Sequence, residues 1–253
     1  MRDPYQRQYS TTGRSLYDVE ARERKARTMV AILGELCGRP LGALDLLNVG
    51  GSVGIMDHYL AGHFKTVSSI DIDDIAIAHA RTVYRDDNLQ FLIADALDMP
   101  FADERFDVVS CVQVYEHVPD ARAMFEEIYR VLKPGGVCYL AANNRLRLIE
   151  PHYRLPLLSV VPRRWAHYYL RLAGKGNYYY EKHASYWGLK SLAGRFERVD
   201  CTPRMVASPE RYHIEYMIKP RSLKALVARA ALRCIPWASP AYIWILRKPE
   251  SKV

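Results

Sequence analysis

Two features that would settle the class of this protein at once are missing from its sequence. No run of about eighteen or more uncharged apolar residues, the length that a membrane-spanning helix needs, occurs in the chain. The N-terminal segment MRDPYQRQYSTTGR lacks the apolar core of a secretory signal. We therefore expect a cytoplasmic protein, and leave open a peripheral contact with the inner membrane surface.

Closely spaced cysteines are also missing. The five cysteines are scattered along the chain, without a Cys-x-x-Cys pair and without a histidine at zinc-finger spacing. They are Cys37, Cys111, Cys138, Cys201 and Cys234. This pattern predicts reduced, mostly buried thiols and no metal.

Charge is distributed unevenly along the 253 residues. Residues 1–144 carry 15 Lys and Arg against 21 Asp and Glu, whereas residues 145–253 carry 21 against 7. The first part is therefore acidic and the second strongly basic. A basic region attracts an anionic small molecule, a nucleic acid or an anionic membrane, although a solubilising surface would have the same composition.

Short apolar runs alternate with helical patterns through the first part of the chain. The runs are ALDLLNV, TVSSIDI, LQFLIA, FDVVSCVQV and GVCYLAA. This alternation predicts parallel strands covered by helices, that is, a Rossmann-like three-layer α/β sandwich. Two later runs, ERVDCTP and YIWILRK, are candidates for a closing strand pair, and a basic amphipathic helix is expected between them.

We interpret the chain as a single domain with four segments. Residues 1–40 form a helical cap, with an amphipathic helix over residues 14–37, and residues 41–142 form a core that binds a cofactor. Residues 143–196 are an aromatic, basic and proline-punctuated insertion that covers the substrate side. Residues 197–253 supply the closing strands.

The first strand ends in a glycine-rich turn, NVGGSVG, which contains Gly50, Gly51 and Gly54. Backbone amides without side chains let a ligand approach closely at such a turn. The second strand ends in Ile70-Asp71-Ile72-Asp73, and a carboxylate there can accept hydrogen bonds from both ribose hydroxyls. Together these features predict a nucleoside site, although the glycines alone would also turn the chain and Asp71 would also cap a helix.

The glycine spacing argues against a dinucleotide. A dinucleotide site reads Gly-x-Gly-x-x-Gly, whereas this turn reads Gly-Gly-x-x-Gly with Ser52 at the intermediate position. The third strand ends in Ala94-Asp95-Ala96, where a carboxylate and a backbone amide can meet an adenine edge. A nicotinamide-dependent reductase on a related sheet is therefore a weaker alternative.

These segments, in this order, resemble one known family. LDLLNVGGSVG, SIDIDD, IADALDMPF, FDVVSCVQVYEHVPD and LKPGG are similar to the class I S-adenosylmethionine-dependent methyltransferases, particularly the group called type 11. The resemblance covers roughly residues 41–142. It implies a mostly parallel seven-stranded sheet with an antiparallel last strand, and S-adenosyl-L-methionine as cofactor.

The resemblance also implies roles for individual residues. Each of the following would contact a part of the cofactor: Asn48, Gly50, Gly51 and Gly54 the methionine part, Asp71 and Ile72 the ribose, Asp95 and Ala96 the adenine, and Gln113 and Tyr115 the sulfonium. The usual acidic residue before the turn is Asn48 here, and the usual second glycine is Ser52. These two departures leave a second interpretation open, a noncatalytic methyltransferase-like binding protein with a weakened cofactor site.

Methyl transfer to a hydroxyl oxygen calls for a general base near the transferred methyl group. The candidates are His117, in the Tyr-Glu-His-Val segment, and the Glu150-Pro151-His152 cluster at the start of the insertion. A purely structural role, as a hydrogen-bonded residue packed in the protein, is the alternative for each of these histidines. We name His152, His117 and Glu150 as candidate catalytic residues.

The acceptor is expected to lie against the insertion, which is rich in tyrosine, tryptophan and arginine. Such surfaces suit sugars, quinone-like rings, anionic lipid headgroups or bases. The motifs of base-modifying methyltransferases are missing, which disfavours a nucleic acid. The sequence thus predicts a small-molecule, glycan or lipid-linked acceptor, methylated at a hydroxyl oxygen, and the basic region would suit an anionic one.

Overall fold

The computed structural model describes residues 7–11 and 14–250, and a twisted sheet runs through its centre. Its strands are β1 (Asp45–Val49), β2 (Thr66–Asp71), β3 (Leu89–Ile93), β4 (Phe106–Val112), β5 (Leu132–Asn143), β6 (Glu197–Asp200) and β7 (Ala241–Arg247). The order across the seven-stranded sheet is β3-β2-β1-β4-β5-β7-β6. The first five strands pair in parallel, and β7 is antiparallel to both of its neighbours. The predicted Rossmann-like sandwich is confirmed.

Eight α-helices are found in the described residues. They are α1 (Val19–Leu36), α2 (Ile55–Ala61), α3 (Asp74–Val83), α4 (Ala121–Val131), α5 (Arg163–Leu172), α6 (Tyr186–Leu192), α7 (Thr202–Ala207) and α8 (Leu223–Cys234). Short 3-10 helices span Tyr9–Thr11, Arg14–Tyr17, Leu41–Ala43 and Pro236–Ala238. None of the helices in the described part of the chain is long and apolar enough to cross a bilayer.

The central strands are apolar because both of their faces are covered. Every residue of β1 is buried, as are six of the seven residues of β4. One core lies on the α4 side of the sheet, around Phe106, Met124 and Trp244. The second lies on the α1 side, around Met29 and Leu46. This two-sided burial is the reason that the strands read as continuous apolar runs in the sequence.

The N-terminal helix is shorter than predicted. The expected helix over residues 14–37 begins as an α-helix only at Val19, after a separate 3-10 turn at Arg14–Tyr17. Asp18 supplies the break, because its side chain accepts a hydrogen bond of 3.0 Å from the Ala21 backbone amide and so caps the helix. The short turn before the cap carries Leu16, which is buried.

The closing strands β6 and β7 pair as predicted but do not form a hairpin. Residues 201–240 leave the sheet between them and contain α7 and α8. The insertion is also more ordered than its sequence indicated, because it holds α5, α6 and a small apolar core of Leu158, Ala166, Leu170 and Tyr179. All five cysteines are unpaired, and three of them are buried.

Candidate active site

A cleft of about 410 Å³ opens where β1, β2, β3 and β4 end. Parallel strands present their carboxyl ends at one edge of a sheet, which is where ligands bind in this architecture. Eight of the residues singled out from the sequence line this cleft: Gly50, Asp71, Ile72, Asp95, Ala96, Gln113, His117 and His152. The topology thus brings together side chains that are as many as 102 residues apart in the sequence.

Gly50 makes the turn after β1 possible for two reasons. Its φ is +78°, a conformation that L-residues with side chains avoid. A Cβ atom at this position would also lie 2.4 Å from a methyl carbon of Val114. The backbone of Gly50 therefore lies at the cleft wall with no side chain between it and a ligand.

Ser52 stands in the left-handed conformation, at the position where the family usually has its second glycine. Its φ is +55°, which is strained for a residue with a side chain by about 1 kcal/mol. Its backbone amide donates a hydrogen bond of 2.8 Å to Asp71 Oδ2. The turn after β1 is therefore fastened to the carboxylate at the end of β2.

Asp71 accepts a second bond, of 2.9 Å, from the Asp73 backbone amide to Oδ1. Burial raises the pKa of Asp71, and these two backbone donors oppose that rise. The helix cap is Asp73, whose Oδ1 accepts from the Ala76 amide, so the alternative role of Asp71 as the cap of α3 was wrong. Each oxygen of Asp71 has one backbone partner and a further lone pair for a ligand hydroxyl.

Asn48 is held in a buried chain of hydrogen bonds beneath the turn. Its Nδ2 donates to Asp57 Oδ1 at 2.7 Å, and Ser110 Oγ donates to its Oδ1. Burial raises the pKa of Asp57 to about 7. Asn48 and Gly51 border a small recess that adjoins the main cleft. The amide of Asn48 is thus engaged inside the protein, and its predicted contact with a cofactor stays a prediction.

The far end of the cleft is formed by the turn after β3. Asp95 Oδ1 accepts a hydrogen bond of 2.9 Å from the Leu97 amide, which holds the loop that contains Ala96. Both residues are partly exposed to the cleft. Gln113, at the end of β4, has a φ of +57°, and its backbone amide donates to Ala141 O. Such left-handed non-glycine residues gather at ligand sites.

Two cationic side chains of α1 reach the cleft and were missed in the sequence. Arg22 and Lys25 stand three residues apart, so they share one face of the helix. Lys25 Nζ donates to Gln113 Oε1 at 3.0 Å. Burial, aided by the charge of Arg22, lowers the pKa of Lys25 to about 8. The available signal was this pair of basic residues on a helix that packs against the core.

Three histidines from three loops form a cluster at the mouth of the cleft. The ring centres of His117 and His152 are 4.9 Å apart, and those of His152 and His183 are 6.0 Å apart. His152 Nδ1 is 3.1 Å from Tyr9 Oη. Its buried Nε2 has no hydrogen-bond partner among the described residues. Burial, followed by the two neighbouring histidines, lowers the pKa of His117 to about 3, so its ring is neutral.

Glu150 lies beneath the cluster and not on the cleft wall. It is fully buried, and its Oε2 accepts from the backbone amides of His152 and Tyr153 at 2.8 and 2.7 Å. Its Oε1 is 3.2 Å from His183 Nε2. Burial alone would raise the pKa of Glu150, but the hydrogen bond from His183 and the electrostatic interaction with His152 bring it below its usual value. Glu150 therefore fixes the loop that carries His152.

Tyr115 does not line the cleft. Its side chain is buried in the core, its hydroxyl donates to Asn143 O at 2.6 Å, and the Ala184 amide donates to that hydroxyl at 3.1 Å. It links β5 to the insertion. The expectation that Tyr115 lies beside the sulfonium is therefore wrong, because the chain turns after β4 and directs the tyrosine side chain into the core. Gly54 also packs inward, and a Cβ there would be 2.9 Å from Ala80.

Two groups of side chains around His152 are close enough to share a metal ion. One group is Glu116, His117 and His152, and the other is Glu150, His152 and His183. In each, the potential ligand atoms lie within 4.8 Å of one another. Nitrogen and oxygen ligands of this kind suit zinc and related ions. The expectation of no metal stays a prediction, which metal analysis of the purified protein would check.

The topology and the cleft define a class of protein. A sheet in this order, with a glycine turn and Asp71 at the carboxyl edge of its strands, is the class I S-adenosylmethionine-dependent methyltransferase fold. Residues 47–140 match the family described as "Methyltransferase domain". The family resemblance predicted from the sequence motifs is confirmed.

Relatives extend the match somewhat beyond this region. The chain is similar to the ubiquinone biosynthesis O-methyltransferase of Thiobacillus denitrificans, with 34% identity over 146 residues, and to that of Pseudomonas putida, with 31% over 148. Each match spans 56% of this chain and 59% of the relative. The solved N-methyltransferase NodS of Bradyrhizobium japonicum, in complex with S-adenosyl-L-homocysteine, is 18% identical with a TM-score of 0.52. That similarity covers 90% of this chain and 87% of NodS.

Proposed function

We propose that this protein transfers a methyl group from S-adenosyl-L-methionine to a hydroxyl oxygen of a small molecule. The observation that carries the proposal is that one cleft joins Gly50 and Asp71, which suit a nucleoside ligand, to the histidine cluster, which suits proton transfer. The names of the ubiquinone biosynthesis relatives support an oxygen acceptor. The cofactor complex of NodS, which has the same fold, supports the donor.

The cleft residues fit the proposed donor chemically. Asp71 would accept hydrogen bonds from the ribose, Asp95 and Ala96 would border the adenine, and Gly50 would lie under the methionine part. The Arg22 guanidinium adds a permanent positive charge near the glycine turn. This charge suits the carboxylate in the methionine part of the donor. When bound, S-adenosyl-L-methionine supplies a methyl group activated by its attachment to a positively charged sulfur.

His152 is the residue that we assign as general base. It lines the cleft, and its Nε2 lacks a partner within the described residues. Its loop is held by Glu150, which acts as a positioning residue. His117 lines the same cleft, but a pKa near 3 makes it a poor proton acceptor at neutral pH, so we assign it to contact with the acceptor.

The protein's share of the reaction is alignment and proton removal. Transfer of a methyl group is an in-line displacement, so the rate depends on holding the acceptor oxygen opposite the sulfur and on excluding water. Tyr9, next to His152, helps to close the cleft on its N-terminal side. The acceptor hydroxyl would lose its proton to His152 as the new carbon–oxygen bond forms.

Calorimetric titration with S-adenosyl-L-homocysteine tests the donor. We expect micromolar binding and a weakening of about a hundredfold in Asp71→Asn, because two charged hydrogen bonds to the ribose become weaker. Asp74→Asn is the matched control, since this exposed residue lies three positions away and does not line the cleft. Folded wild-type protein that fails to bind would instead support the noncatalytic scaffold that the engaged Asn48 and strained Ser52 suggest.

The acceptor is tested separately by a screen of phenols, sugars and lipids with methyl-labelled donor. Label in an alkali-stable methyl ether would establish the oxygen acceptor. Label in a nitrogen or carbon product, with intact cofactor binding, would retain the donor and overturn the assignment of the hydroxyl.

A further inference from the structure

A second cavity, of about 720 Å³, lies next to the cofactor cleft and has a different lining. It is lined by α1, the ends of β4 and β5, the start of β7, α7, the chain around Ile214 to Ile218, and α8. Its walls are largely aliphatic, with side chains such as Met205, Val206, Ile214 and Leu232. A cavity of this size and character takes a small ligand with an extensive hydrocarbon part.

Two hydroxyl groups in this wall are already engaged in hydrogen bonds within the protein. Thr28 Oγ1 donates to Tyr212 O at 2.8 Å, and Thr202 Oγ1 accepts from the Ile243 amide at 3.0 Å. A polar ligand would therefore find few partners and would lose its hydration. A hydrocarbon chain has no hydrogen bonds to water to give up, and the burial of its apolar surface in the cavity is favourable.

The two cavities meet at three residues, Lys25, Val112 and Gln113. The hydrogen bond between Lys25 Nζ and Gln113 Oε1 crosses this boundary. A molecule with a polar head in the cleft and a chain in the cavity would therefore pass beside these two side chains. The cavity is thus placed to position an acceptor relative to the proposed donor.

Helix α8 joins the cavity to the protein surface. Its inner side contributes Ala228, Ala231 and Leu232 to the cavity wall. Its outer side leaves Leu223, Leu226 and Val227 exposed, by 77%, 65% and 59%. Solvent exposure of this much contiguous apolar surface is unfavourable, which indicates that another apolar phase covers it.

The positive charge around α8 indicates which apolar phase covers its outer side. Residues 216–249 contain seven lysines and arginines and no aspartate or glutamate. Arg229 and Arg233 lie beside the exposed apolar side of α8, whereas Lys224 lines the cavity and donates to Met217 O. A helix with an apolar strip bordered by cations is suited to the interface of an anionic bilayer.

From these observations we propose that the cavity behind α8 binds the hydrocarbon chain of an amphiphilic acceptor, which the protein takes from an anionic bilayer on which the outer side of α8 lies. This inference rests on the proposed function and specifies its acceptor. The chain would lie among the aliphatic walls, and the hydroxyl head would reach past Gln113 toward His152.

The cavity is tested with two phenols that differ only in chain length, 4-octylphenol and 4-ethylphenol. Calorimetry is carried out with S-adenosyl-L-homocysteine at saturation. The six additional methylenes should tighten binding by about a hundredfold or more. Ala231→Phe, which fills the cavity, should remove that difference, whereas Ala230→Phe, on the exposed side of the same helix, should retain it.

The outcomes separate the two proposals. If both phenols bind equally, or if Ala231→Phe leaves the difference intact in a folded protein, the chain site is wrong, while S-adenosyl-L-homocysteine binding still reports on the donor. Loss of S-adenosyl-L-homocysteine binding in the wild type would instead contradict the proposed function.

The surface of α8 is tested by flotation with vesicles of phosphatidylglycerol or of phosphatidylcholine. We expect binding only to the anionic vesicles, reduced about tenfold in Leu226→Glu because a charge enters the apolar strip. Val83→Glu places the same charge on an exposed apolar residue of α3 and should bind as the wild type does. Equal binding to both vesicles, or equal losses in both variants, would overturn the assignment of the bilayer to α8.

Discussion

The cleft and the cavity lie side by side at one edge of the sheet, yet they are built from different parts of the chain. The cleft is lined by a mixture of polar and apolar residues from the ends of β1 to β4, the N-terminal helices and the loop of His152, whereas the cavity is lined mainly by apolar residues, most of them from α7, α8 and the chain on either side of α8. Only Lys25, Val112 and Gln113 belong to both. The family match covers residues 47–140, which supply most of the cleft and little of the cavity. The part of the chain that matches the family thus holds most of the proposed donor site, whereas the proposed acceptor cavity is built mostly from segments outside that match.

The largest expected effect is on the chemical step, and it should be confined to the cleft. His152→Ala should lower kcat by about 10²- to 10⁴-fold, because the acceptor hydroxyl loses its base. S-adenosyl-L-homocysteine affinity should change little in the same variant. Steady-state rates with an acceptor from the screen, compared with His58→Ala on the exposed side of α2, measure the effect. Equal rates in both variants would remove His152 from the mechanism.

A second large effect should follow Gly50→Ala. The new Cβ would stand 2.4 Å from Val114 on a backbone with a φ of +78°. We expect a loss of about 2 kcal/mol or more in the free energy of unfolding, together with loss of S-adenosyl-L-homocysteine binding. The control is Gly34→Ala in α1, where nothing lies within 4 Å, and which should stabilise the protein by about 0.5–1 kcal/mol. Urea titration of both variants compares the two sites.

The pH dependence of stability is a sharper probe of the histidine cluster. The pKa of His117 is lowered to about 3 in the folded protein, below its usual value of 6.5, so only the unfolded chain takes up this proton as the pH falls below that value. Relative to that of His117→Gln, the free energy of unfolding of the wild type should fall by up to about 1.4 kcal/mol per pH unit as the pH is lowered from 6 to 4. Urea unfolding over this range tests the slope, and parallel curves for the two proteins would contradict it.

Asp57 should have the opposite effect on the pH dependence of stability. Burial raises its pKa to about 7, so its contribution to stability is present at low pH and is lost as the pH rises through 7. The free energy of unfolding of Asp57→Asn should therefore rise relative to that of the wild type as the pH increases from about 4 to about 7. If the free energy of unfolding of the variant instead fell relative to that of the wild type, Asp57 would be held as a carboxylate beside Asn48 in the folded protein.

The smallest expected effect is at Ser52. Its φ of +55° costs free energy that glycine would not, although glycine adds freedom to the unfolded chain. Ser52→Gly should therefore stabilise the protein by about 0.5 kcal/mol and leave S-adenosyl-L-homocysteine affinity equal or tighter. Thermal unfolding and calorimetry measure both quantities. A marked loss of affinity would mean that the serine hydroxyl itself contributes to the cleft.

The sequence predicted the parts of the site that depend on local pattern. Gly50 and Asp71 were found because each follows a strand whose apolar run is unmistakable, and parallel strands end at one edge. Asn48 and Tyr115 were placed by family analogy alone, and the structure gives both of them partners inside the protein. No local pattern reports which way such a side chain turns.

What the sequence by itself determined is the α/β architecture, the order of the strand motifs and the strand ends at which we propose the donor site, because alternation, glycine turns and strand ends are properties of short segments. Only the tertiary structure decided that Arg22 and Lys25 of α1 face the cleft, that the three histidines meet, and that residues 201–240 enclose an apolar cavity. These features arise from packing between segments distant in the chain. The free energy of such packing depends on the shapes of both partners, which no single segment encodes.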